Sequence, residues 1–61
     1  MQKSVTPSPD EIIAARKAAK LTQTAAAALV YATCRAWQLW EAGDRKMGAA
    51  SWELFRIKCE K

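Results

Sequence analysis

The apolar positions of this chain recur at helical spacing, and nowhere do they alternate for long enough to suggest a strand. Ser8-Pro9-Asp10-Glu11 opens the first periodic stretch. Ser8 can accept from the amide of Glu11 while Glu11 reaches back, and Pro9 suits the first helical position. Asp10 and Glu11 also favour the positive end of a helix dipole. The pattern predicts a helix from Pro9 to about Lys20, on which Ile12, Ala15, Arg16 and Ala19 share one face. Thr22 is the expected cap of a second helix, Gln23 to Val30, whose alanines Ala25 to Ala28 let a neighbour approach closely. Tyr31 and Ala32 form a short break. Thr33 then caps a third helix, Cys34 to about Ala42, which Gly43 ends as a left-handed residue. On that helix Trp37, Trp40 and Glu41 face one way; Arg35 and Leu39 face the other, flanked by Cys34, Gln38 and Ala42. Asp44 to Gly48 reads as a basic loop centred on Arg45 and Lys46, followed by a last helix from about Ala49 to Lys58. Trp52, Phe55 and Cys59 lie along one side of it, with Leu54 and Ile57 nearly opposite. We expect residues 1–7 to be a flexible arm and residues 8–61 to be a single all-α domain of four helices.

Composition narrows the functions open to such a domain. Of 61 residues, 51% are hydrophobic, but thirteen of these are alanine, so few side chains fill space deeply. A domain this small encloses no deep substrate cavity. There is no histidine, which removes the commonest general base and metal ligand. Cys34 and Cys59 form no CxxC pair, so no metal site and no cofactor are expected. Counting alone leaves a Cys34–Cys59 bridge open, but disulfide-stapled mini-proteins usually use more bridges, and no signal-peptide pattern opens the chain. No apolar run nears the roughly 18 residues of a membrane span. We expect a cytoplasmic protein that is not an enzyme. Its net charge of +4 favours an anionic partner, nucleic acid before a membrane surface.

Arg16 and Glu41 both fall on inward faces of their helices. A charge on an apolar stripe must be paired or displaced from the core. The economical solution is that they meet and tie the first helix to the third; the plain alternative is that Arg16 snorkels to the surface.

The order of these features, from Arg16 through Leu21-Thr22-Gln23 to Trp40-Glu41-x-Gly43, resembles the helix-turn-helix domain of the Cro/C1 (XRE) family of phage repressors and Cro proteins. The resemblance covers Arg16 to Gly43, nearly half the chain, with the helix-turn-helix unit at about residues 22–43. It implies a lambda-repressor-like fold, with the family's fifth helix absent or merged into the fourth. Gln23 matches a glutamine that typically touches DNA phosphate, and Thr33 matches the cap of the recognition helix. Cys34, Arg35, Gln38 and Leu39 fall on positions that face the major groove. Arg16 and Glu41 match a family salt bridge, in agreement with the facing argument. Arg45 and Lys46 fall in a loop that often contacts the DNA backbone. Four positions depart from the pattern: Ala25 and Ala26 stand where Glu and Leu are common, and Tyr31 and Lys20 where the family usually has glycine. A positive φ at such a residue costs on the order of 1 kcal/mol.

The resemblance implies a sequence-specific transcriptional regulator of phage or prophage type, a repressor-like protein binding a palindromic double-stranded operator as a homodimer. Leu54 and Ile57 are the expected dimer surface, because the side of the last helix opposite the core needs a partner. The alternative is a protein-interaction module on the same scaffold, such as an antitoxin or adaptor, with the basic surface incidental. In that case Arg35, Arg45 and Lys46 are ordinary solvated side chains.

Overall fold

The computed structural model describes residues 6–59, which form four α-helices and, among the described residues, no strand. They are α1 (Pro9–Ala18), α2 (Gln23–Leu29), α3 (Cys34–Ala42) and α4 (Ala49–Cys59). Residues 1–5 of the expected arm, and Glu60 and Lys61, lie outside the described residues. The arm expectation needs one correction within them. Pro7 is buried, so the chain is already packed two residues before α1 begins.

The first three helices start in the same way. Ser8, Thr22 and Thr33 adopt extended backbone, and each side-chain oxygen accepts from the amide three residues on: Glu11 at 3.2 Å, Ala25 at 3.1 Å and Ala36 at 3.0 Å. At α1 the box closes, with Glu11 Oε1 accepting from the Ser8 amide at 2.9 Å. α4 has no such side chain before it; the Gly48 carbonyl simply accepts from the Trp52 amide at 3.0 Å.

They also end in the same way. Leu21, Ala32 and Asp44 each donate a backbone N–H to the carbonyl five residues earlier, at 3.1, 2.9 and 3.0 Å. This pattern needs a left-handed residue just before the donor. Lys20, Tyr31 and Gly43 fill that role with φ of 60°, 60° and 86°. Only one of the three is glycine. The early left-handed turn at Lys20 is also why α1 stops at Ala18, short of the boundary that composition suggests.

These turns fold the chain around one core: Ile12, Ala26, Ala27, Val30, Trp37, Met47 and Phe55. Trp37 has no exposed surface and sits at its centre, 5.1 Å from Phe55 and 5.5 Å from Trp40 between ring centroids. These spacings and tilts suit the quadrupoles of aromatic pairs. Ala26 and Ala27 are equally buried, so the small side chains of α2 are matched by the largest side chain of α3. Met47 is a further core residue, which the reading of Asp44 to Gly48 as a basic loop did not anticipate. It anchors the loop from inside while Arg45 and Lys46 remain exposed.

α4 corrects a second expectation. Phe55 is buried, and Leu54 packs against the core with Trp52 and Cys59 rather than facing away with Ile57. Neighbouring helical residues differ by about 100°, so Leu54 flanks Phe55, whereas Ile57 stands about 160° from it. Ile57 alone is left outside, 65% exposed.

Relieving a left-handed side chain should stabilise the fold. Lys20→Gly is expected to add about 1 kcal/mol, or roughly 4–8 °C in Tm for a domain of this size. Lys20→Ala, which keeps a Cβ, should give none of this gain. Equal Tm values for the two variants would contradict a strained Lys20.

Candidate functional site

Glu41 is the hub at which three helices meet. Its Oε2 accepts from Arg16 Nε at 2.6 Å and from the indole Nε1 of Trp37 at 2.6 Å. Its Oε1 accepts from Gln23 Nε2 at 2.9 Å and, more weakly, from a second Arg16 nitrogen at 3.4 Å. The remaining terminal nitrogen of Arg16 donates to the Leu21 carbonyl at 3.1 Å, just past α1. The side chains of Arg16 and Glu41 are only 16% and 8% exposed. No buried side-chain nitrogen or oxygen among the described residues lacks a partner. This is the condition under which burying an ion pair is tolerated.

The pKa of Glu41 follows from that geometry. Burial pushes it up, but hydrogen bonds from Arg16, Gln23 and Trp37, together with the Arg16 charge, outweigh burial and hold it below 4.5. The facing of Arg16 and Glu41 was visible in helical phase alone. The part played by Trp37 was half visible: it lies four residues before Glu41 on the same face, but nothing marked its indole N–H as a donor. Gln23 carried no such signal, because its partner lies across the turn between two helices.

The outward surface of α2 and α3 is built over this hub. Arg35 and Gln38 are exposed, while Leu39 is half-buried but not part of the core packing. Thr33 is exposed and its hydroxyl oxygen serves as the cap of α3. Cys34 is half-buried at the seam, where its Sγ accepts from Thr24 Oγ1 at 3.3 Å and from Gln38 Nε2 at 3.7 Å. Cys34 and Cys59 are both free thiols. Gln23, expected to face an outside partner, is instead half-buried, with one amide N–H directed into the protein. Arg45 and Lys46 follow directly on α3, the Arg45 amide donating to the Leu39 carbonyl at 3.3 Å, and they line a groove with Trp40, Pro7, Pro9 and Glu11.

Exposed charge on α3 and the loop after it is predominantly positive. From Leu21 to Gly43 the only acidic residue is Glu41, and it is turned inward onto Arg16. The exposed charges of α3 and the following loop are Arg35, Arg45 and Lys46, set against Asp44 alone. Among the described residues no three His, Cys, Asp or Glu side chains come together, and no helix is long and apolar enough to cross a membrane. Neither a family model nor a curated protein matches the chain.

Removing one partner of the hub should be expensive. Arg16→Met or Glu41→Leu alone leaves a poorly solvated charge unpaired, and a loss of roughly 2–4 kcal/mol is expected. The double variant should lose less than the sum of the two, although Trp37 and Gln23 still lack their acceptor. Strictly additive losses in denaturant unfolding would contradict the pairing.

The hub also sets an acid limit. A carboxylate with a depressed folded-state pKa contributes stability above its unfolded value and loses it as pH falls through the folded one. The Tm of the wild type should therefore fall as pH drops below about 4.5. In Glu41→Gln that fall should be shallower, from a lower starting Tm. Parallel curves for the two proteins would show that Glu41 does not titrate as the hub requires.

Proposed function

We propose that this protein is a sequence-specific DNA-binding transcriptional regulator of the Cro/C1 helix-turn-helix type, with a lambda-repressor-like fold. The carrying observation is that α2 and α3, locked together through Glu41, present a surface whose only acid is neutralised internally. Exposed Arg35 and Gln38 on α3 are side chains able to donate to base edges in the major groove, Arg in the bidentate mode that selects guanine. Arg45 and Lys46 supply phosphate contacts that are independent of sequence and sensitive to salt. The short seven-residue α2 and the tight turn through Tyr31 support the same reading, since a helix-turn-helix reader joins its two helices by a short turn.

A single α3 contacts few base pairs, so the reading includes a homodimer on a palindromic operator, its α3 helices about one DNA turn, roughly 34 Å, apart. Ile57 is the exposed apolar residue that supports α4 as the pairing surface. With Leu54 engaged in core packing, Ile57→Glu is the informative substitution: it should leave the helical fold intact and abolish high-affinity binding to a palindrome. Regulation follows sterically, the bound dimer blocking or recruiting polymerase.

Selection of bound sites from a random duplex pool tests the reading directly. A palindromic consensus is the expected result, and no enrichment would favour the interaction-module alternative. On a selected site, Arg35→Ala should remove preference at one base position, costing about 1–3 kcal/mol there. Arg45→Ala and Lys46→Ala should weaken all duplexes alike and lower the salt slope by about one each. Identical profiles for the two classes would mean that α3 is not the reading element.

A further inference from the structure

Gln23 stands at the rim between the buried hub and solvent. It is half-buried, with exposed Thr22 and Thr24 on either side, and among the described residues its side chain makes one hydrogen bond, to Glu41 Oε1 at 2.9 Å. A glutamine amide carries two N–H donors and an acceptor oxygen, so one N–H and the oxygen remain unengaged. The acceptor that holds it is itself held firmly. Glu41 Oε2 takes Arg16 Nε and the Trp37 indole, both at 2.6 Å, and Trp37 has no exposed surface. Arg16 is tied in turn to the Leu21 carbonyl. An outward pull on the Gln23 amide must therefore be felt at the carboxylate, and through it at a buried indole.

We infer that Glu41 is a positioning residue for Gln23, fixing the plane of its amide so that the free N–H is aimed at a phosphate of duplex DNA before encounter. The inference rests on the DNA-binding reading above. A free surface glutamine would lose rotamer entropy on contacting phosphate, whereas one already ordered by Glu41 has lost it on folding. The Arg16–Glu41 pair thus serves two purposes: it sets α1 against α3, and it pre-orders a contact made from α2.

The test uses the full chain and a duplex selected from the random pool, followed by nitrogen–proton NMR. The three indole resonances are assigned by elimination with Trp40→Phe and Trp52→Phe. Adding duplex should shift the Trp37 indole N–H in the wild type, and this shift should largely vanish in Gln23→Met. Gln23→Met should also weaken binding about tenfold, the scale of one hydrogen bond to a charged group. In a Glu41→Leu background the same substitution should change affinity by less than about twofold, because the acceptor that pre-orders Gln23 is already gone. A Trp37 resonance that stays still while α3 backbone amides move would overturn the inference and leave the DNA reading intact. Equal losses from Gln23→Met in both backgrounds would do the same. If Glu41→Leu does not fold, the indole shift decides, since it needs no change at Glu41. If no α3 resonance moves at all, the DNA reading fails and the inference falls with it.

Discussion

One partly buried carboxylate sets the arrangement of this small domain. Removing a charge from water is costly, and Glu41 is tolerated at 8% side-chain exposure because donors from α1, α2 and α3 converge on it. Each donor is also a geometric constraint. Arg16 fixes the crossing of α1 on α3, Gln23 fixes the start of α2, and Trp37 fixes the hub to the aromatic core. A domain with alanine at thirteen positions has little apolar volume with which to specify a single packing. Here a polar cluster whose buried atoms are all partnered supplies specificity that large side chains provide elsewhere.

The turns carry strain that the packing imposes. Lys20 and Tyr31 occupy left-handed backbone that glycine would adopt freely, yet the two turns close with the same hydrogen bonds as the glycine turn at Gly43. Tyr31 gains a little in return: Lys58 lies 4.3 Å from its ring centroid and donates to its hydroxyl at 3.1 Å. That pair is exposed, with Tyr31 82% accessible, so its contribution is small beside the packing that forces the turn. The core dictates the turns, and the turns accept the strain.

What could be read from the sequence divides along physical lines. Caps are local, and Ser8, Thr22 and Thr33 are legible because a cap involves residues only three apart. Helical phase is nearly as local, so the inward facing of Arg16 and Glu41 followed from periodicity. Phase also misled, because it distinguishes front from back better than flank from either, and Leu54 is a flank residue that the core recruits. Met47 was hidden by its polar neighbours, since nothing in a short irregular segment has a period. The Gln23–Glu41 bond spans eighteen positions and a turn, so only the folded geometry could bring it out. The outward set of Arg35, Gln38, Arg45 and Lys46 was legible as pattern, while the positive charge of its three basic members became meaningful only once Glu41 was seen to be internally neutralised.

If that surface exists to meet the DNA backbone, binding must release counterions. The direct measurement is affinity for random-sequence duplex DNA across a range of salt concentrations, with the wild-type chain. The logarithm of the affinity is expected to fall linearly and steeply with the logarithm of salt, at a slope of about −0.9 for each phosphate neutralised. A slope near zero, or no binding at low salt, would contradict it.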